Sequence, residues 1–183
     1  MKENKKLEWI EEGYRLVAEH GFKSINIESI ARAIGKNKSS FYHYFGDTEI
    51  YQSELLDYHL ERSETFANQV SRCKNMKPDL VNIFVDHKTD LFFHKWLRIN
   101  RANPEYKKCF ERVFENYENA ILEEWANFLG LEQQRLFAQT FLHLIAENFL
   151  LQITWETYNY DWLSKYLDEI SDVLQQMNSA ANK

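Results

Sequence analysis

Between Lys36 and His43 the chain concentrates side chains that donate and accept hydrogen bonds: Lys36, Asn37, Lys38, Ser39, Ser40, Tyr42 and His43, with Tyr44 beside them and Thr48 just beyond. A lysine can donate to guanine O6 and N7, and hydroxyls and amides can bond phosphate oxygens or base edges. Arg32, Lys36 and Lys38 occur with no acid between Glu28 and Asp47, a local charge of +3 in a chain whose net charge is −6. An acidic total argues against nucleic-acid binding spread over the whole surface and permits one localised basic patch. Bond-making chemistry finds less support. No Gly-rich phosphate loop, nucleophile elbow or zinc-protease helix motif occurs, and no carboxylates form a defensible catalytic pair. An enzyme is not expected, and no cofactor is implied.

Two short helices joined by a sharp turn would position these groups. Asn26 can accept from the first free amides of a helix, and Glu28 favours that helix's positive end. Ile27, Ile30, Ala31 and Ile34 share one face at helical spacing. Gly35 follows, where a helix end takes a residue tolerant of positive φ. Asn37 can cap a second helix whose Phe41 and Phe45, four apart, face inward. Lys38, Ser39, Tyr42 and His43 then face outward. Lys36–Phe45 spans roughly 15 Å at ~1.5 Å per residue, comparable to a major groove ~12 Å wide. A helix-turn-helix presents its second helix this way. Lys38 and Ser39, at its front, are placed for base edges. Tyr42 and the amides at the helix starts near Asn37 and Asp47 are placed for phosphates.

The segment resembles the N-terminal signature of the TetR family of bacterial repressors. The residues that carry the likeness are Gly21-Phe22, Asn26, Ile30-Ala31, Gly35, Lys38-Ser39-Ser40, Phe41-Tyr42-His43-Tyr44-Phe45 and Asp47. Three positions depart from the signature. Asn26 stands where Thr is usual, and both cap. Gly13 stands where the first helix usually has Ala. Thr48 stands where the family typically has a Lys that contacts phosphate, which weakens one expected DNA contact. The resemblance implies a DNA-binding domain over residues 1–46 and an effector-binding and dimerisation domain over 47–183. It also implies a cytoplasmic regulator, commonly a repressor, that leaves its double-stranded operator when a small effector binds. The rival reading is a helix-turn-helix regulator controlled by a protein partner.

The rest of the chain reads as all-α, with about nine helices. Five Gly and two Pro in 183 residues argue against a turn-rich β protein, and runs between breakers are long. Cys73 and Cys109 form no metal-ligand spacing. Lys2, Lys5 and Lys6 precede no apolar signal run, and no stretch approaches the ~20 apolar residues of a membrane span. Helices are expected over about 7–20, 47–72, 79–103 (one, or two with a kink), 104–129, 132–157 and 161–177, with 178–183 frayed. Gly13, mid-helix, costs roughly 1 kcal/mol against Ala, for which close packing is the expected reason.

Helix 132–157 has two apolar stripes: Phe137, Phe141, Leu144, Leu151 and Trp155, and Ala138, Leu142, Ile145, Phe149 and Ile153. A helix apolar on both sides is buried on both. One side can face its own core and the other needs a partner; the TetR-family resemblance implies a homodimer through the last two long helices, using Phe137, Leu144, Phe149, Leu151, Trp155, Tyr166, Ile170 and Leu174. This half is also rich in aromatics. Phe84, Trp96, Phe110, Phe114, Tyr117 and Phe141 would line an apolar effector site, with His87, Asn100, Tyr117 and His143 orienting the ligand. Singly, each such aromatic is better explained by the core; as a set they suggest an aromatic-lined cavity. His87, Asp90 and His94 at i, i+3 and i+7 could hold a divalent ion, but such trios are usually solvated surface, so no metal is assigned.

Overall fold

The computed structural model describes residues 2–181 and is all-helical, with no strand among them. Helices α1 (Lys2–His20), α2 (Ile27–Ala33), α3 (Lys38–Phe45), α4 (Thr48–Val70), α5 (Val81–Asp86), α6 (Lys88–Ile99), α7 (Pro104–Leu129), α8 (Arg135–Gln152) and α9 (Tyr160–Ala181) follow in order. The expected helix 79–103 is two helices that part at His87, whose backbone (φ −91, ψ 24) leaves the α region. Pro104 opens α7, where its missing N–H costs nothing. Helix α8 stops at Gln152 rather than near 157 because Ile153 is extended, and α9 continues to Ala181; of the stretch 178–183 expected to fray, residues 182 and 183 lie outside the described residues. No described helix is long and apolar enough to cross a membrane.

The chain forms two compact units. One comprises residues 1–64 and 89–114, the other 65–88 and 115–183. The start of α4 belongs to the core under α3. Tyr51 and Leu55 are fully buried there. Tyr51 meets Phe41 and Phe45 edge-on at 5.1 and 4.8 Å and donates its hydroxyl to the Trp9 carbonyl at 2.6 Å. This packing accounts for Gly13. A Cβ at that position would lie 1.8 Å from the Tyr51 hydroxyl oxygen, so the helix gives up Ala's propensity to admit the ring.

The first unit also buries a polar network. Asp90 is fully buried and accepts a bidentate pair from Arg62 at 2.9 and 2.8 Å. Tyr14 donates its hydroxyl to Asp90 Oδ1 at 2.9 Å and lies 2.6 Å from His59 Nδ1. His59 Nε2 is 3.3 Å from His94 Nδ1. Tyr14 has one hydroxyl proton and gives it to Asp90, so His59 must donate from Nδ1 and accept at Nε2 from His94 Nδ1–H. The chain of donors thus runs from His94 to Asp90, with both imidazoles neutral.

The second unit is knit around Phe66, fully buried, with Phe84, His87 and Tyr117 edge-on at 5.1, 5.3 and 4.7 Å. Trp125 donates to the Ala138 carbonyl at 3.1 Å, tying α7 to α8. Tyr166 of α9 donates to Ile145 O at 3.2 Å and stacks on Trp162 at 5.3 Å.

Candidate nucleic-acid interface

Local sequence builds the α2–α3 pair. Asn26 Oδ1 accepts from Ser29 N at 3.0 Å and Asn37 Oδ1 from Ser40 N at 2.9 Å. Each side chain thus satisfies an amide that its helix leaves open. Between the helices, Gly35 takes φ 65 while Lys36 N bonds Ala31 O at 2.8 Å, which closes the first helix end. Ile27, Ile30 and Ala31 are buried, as are Phe41 and Phe45. Trp9 lies edge-on against Phe41 at 5.5 Å. Anchored by these rings, α3 turns its other face to solvent.

That face carries Lys38, Ser39, Tyr42 and His43, all exposed; Tyr42 is 49% exposed while its ring leans edge-on against Phe41 at 5.3 Å. Asn37 is exposed. Ser40 and Tyr44 are half-buried, and the Ser40 hydroxyl is turned back onto Asn37 O at 2.7 Å. Both lysines already hold acids: Lys38 bonds Glu28 at 2.9 Å and Lys36 bonds Glu8 at 3.0 Å. Glu28 and Glu8 lie outside the basic run itself, so a charge count along that run missed them. Thr48 opens α4 and is exposed. The amides there are already used, because Asp47 Oδ1 accepts from Glu49 N at 2.9 Å and Ile50 N at 2.8 Å. A phosphate at that helix start would meet a carboxylate, whereas the start of α3 has a neutral cap.

The residues expected to meet an effector fall into separate groups. In the first unit, Trp96 donates to Ala18 O at 3.2 Å and lies against Gly21, where a Cβ would come within 2.9 Å of the indole. Asn100 donates to Trp96 O at 2.8 Å. Trp96 fastens α6 to the end of α1, and Asn100 closes the end of α6. Phe110 stacks on His94 at 4.3 Å, and Phe114 follows at 6.0 Å. In the second unit, Phe84, His87 and Tyr117 meet at Phe66, and His87 is 3.1 Å from Gln69 Oε1. Phe141 lies 5.9 Å from Trp125. His143 is exposed and paired with Glu118 at 2.7 Å. The solvated-surface reading of His87, Asp90 and His94 is corrected: all three are buried. Asp90 is engaged by Arg62 and Tyr14, and among the described residues no group of three or more His, Cys, Asp or Glu is placed to hold a metal.

The expected dimer residues divide in the same way. Leu144 and Leu151 are 65% and 77% exposed, Phe137 is 45% exposed, and Leu136, Val173 and Met177 join them on the surface. Phe149, Tyr166, Ile170 and Leu174 are instead buried within their own unit. Trp155 lies beyond α8 in the turn that follows, with Lys88 Nζ 4.6 Å from its ring centre.

The buried imidazoles give a pH prediction. Burial pushes His59 down to about 3 against the pull of Asp90, and drives His94 well below its ordinary value, with neighbouring His59 adding to the shift. Histidine freed by unfolding protonates below ~6.5. Below that pH the unfolded chain binds more protons, so stability falls with acidification until the folded-state values are reached. Two such groups give a slope approaching ~2.7 kcal/mol per pH unit. Urea denaturation between pH 7 and 5 is expected to show this loss, and His94→Gln is expected to halve it; a flat profile would contradict the neutral network.

Residues 10–49 match the family described as bacterial regulatory proteins, tetR family. The chain is also similar to the crystal structure of a proposed TetR-family transcriptional regulator from Mesorhizobium loti MAFF303099. The identity is 15%, each chain is 96% covered and the TM-score is 0.60, so the likeness is one of fold. No curated protein matches the chain.

Proposed function

We propose that this TetR-family transcriptional regulator, a DNA-binding helix-turn-helix protein, is a cytoplasmic homodimer that represses its target genes and is released from double-stranded operator DNA by a small, largely apolar or aromatic effector. One observation carries the DNA-reading part. Helix α3 is pinned by Phe41 and Phe45 and offers Lys38, Ser39, Tyr42 and His43 to solvent on its opposite face. In this reading residues 1–46 read DNA, with Lys36, Asn37, Ser40, Tyr44 and Thr48 flanking the contact, and residues 47–183 sense and dimerise. The aromatic cluster at Phe66, with Phe84, His87 and Tyr117, is the favoured effector locus, because it joins apolar rings to a histidine and a phenol. A ligand there releases DNA only by binding the two conformations unequally. Helix α4 starts directly after α3 and contains Phe66, which gives the two roles one continuous element.

Labour along α3 is tested by competition binding at fixed salt. Lys38→Ala is expected to lose roughly 1–3 kcal/mol of discrimination at one base pair per half-site. Tyr42→Phe is expected to weaken operator and random DNA by a similar factor, because phosphate contacts carry no sequence information directly. An unchanged sequence preference in Lys38→Ala would make Lys38 a phosphate anchor instead.

A further inference from the structure

We propose that Glu28 is a specificity-determining residue: it holds Lys38 so that the lysine is withheld from the phosphates of unrelated DNA and kept for base edges. The inference rests on the DNA-binding reading above. Lys38 Nζ donates to Glu28 Oε1 at 2.9 Å, and the bond links the first turn of α2 to the first residue of α3. Glu28 is the only acid from Asn26 to Gly46. The two side chains are 49% and 67% exposed, so the pair fills no core, and exposed pairs of this kind add little to stability. Each partner also favours the other's charge: Lys38 holds Glu28 below the ordinary carboxylate range, and Glu28 raises Lys38.

Phosphates and bases respond differently to such a pair. Affinity for arbitrary DNA comes from neutralising phosphates, and each phosphate neutralised adds about 0.9 to the slope of log affinity against log salt. A lysine already bonded to a carboxylate contributes little to that term, and the carboxylate itself repels phosphate. Guanine O6 and N7 carry no formal charge. An ammonium group has three protons, so Lys38 can keep Glu28 and still donate to a base. Glu28 therefore suppresses the sequence-independent part of binding more than the sequence-dependent part. Lys36 is also held, by Glu8, but its side chain is only 28% exposed, which leaves Lys38 as the cation whose release would matter at the reading face.

The test compares wild type and Glu28→Gln by fluorescence anisotropy over a salt series. The probes are a duplex recovered by in vitro selection on the wild-type protein and a scrambled duplex of equal length and composition. The variant is expected to bind the scrambled duplex roughly tenfold tighter at low salt, with a salt slope steeper by about 0.9 per subunit. Affinity for the selected duplex should move less, so discrimination falls. Adding Lys38→Ala to Glu28→Gln should abolish the steepening, and unchanged thermal unfolding of the single variant would exclude a folding effect. If Glu28→Gln matches wild type on scrambled DNA, or weakens both duplexes equally, the inference is overturned while the DNA-binding reading stands. If wild type binds neither duplex, both are overturned.

Discussion

Replacing Asp90 with Ala is expected to destabilise the first unit by about 3–5 kcal/mol, the usual cost of removing one partner of a buried ion pair. Asp90 is wholly buried and accepts hydrogen bonds from both Arg62 Nε and Nη2 and from the Tyr14 hydroxyl. Truncation leaves a guanidinium without this counter-charge, removes the carboxylate that accepts from the buried Tyr14 phenol, and strips His59 of the charge that opposes its desolvation. The Arg62 side chain is 35% exposed, so water recovers part of the loss and the value should fall towards about 3 kcal/mol. Changing both partners, Asp90→Leu with Arg62→Met, should cost far less than Asp90→Ala alone, because no uncompensated charge remains. Denaturant titration measures both. A loss under about 1 kcal/mol for Asp90→Ala would mean that the pair is effectively solvated.

Leu144→Glu and Leu151→Glu are each expected to turn a dimer into a monomer that remains folded, with operator affinity falling at least about a hundredfold. Phe137, Leu144 and Leu151 recur every seven residues along α8 and are exposed, with Val173 and Met177 exposed on α9. A seven-residue apolar repeat is the pattern by which one helix packs along another. Burying such a leucine contributes about 1.5–3 kcal/mol, and a two-fold axis counts each one twice. A glutamate there places a charge from each subunit in an apolar seam. DNA affinity follows, because two half-sites bound by one dimer share a single association cost. Phe149→Glu is a poor probe of the seam: Phe149 is buried among Tyr158, Trp162 and Tyr166, so its loss unfolds the helices that form the seam. Sedimentation equilibrium with circular dichroism separates the outcomes. Folded dimers from both leucine variants would exclude this face as the seam.

What could be read from the sequence was local. Asn26, Asn37 and Asp47 cap their helices through amides two or three residues away, and Phe41 and Phe45 point inward by helical spacing alone. The reason for Gly13 was legible only as a need for space, because Tyr51, which fills that space, is 38 positions on (51 − 13). The burial of Asp90 and His94 was misread because Tyr14, His59 and Arg62, which make it tolerable, lie on α1 and α4. Periodicity marked α8 as doubly apolar but did not show which stripe its own unit covers. It could not separate Phe149, which is buried, from Leu151, which is not. For Trp96 and Asn100 an aromatic beside an amide suits ligand contact or packing alike, and the sequence does not show that Trp96 bonds the Ala18 carbonyl while Asn100 bonds the Trp96 carbonyl.

The most direct test of the central claim, that α3 reads DNA as one half of a two-fold pair, is in vitro selection of random duplexes by the wild-type chain, followed by sequencing. The expected result is an inverted repeat whose half-sites lie about one helical turn or a multiple apart, roughly 34–36 Å per turn, with one base pair in each half-site losing its preference in Lys38→Ala. Recovery of fragments with no enriched sequence, or of a repeat that Lys38→Ala, Ser39→Ala and Tyr42→Phe all leave unaltered in preference and affinity, would contradict it.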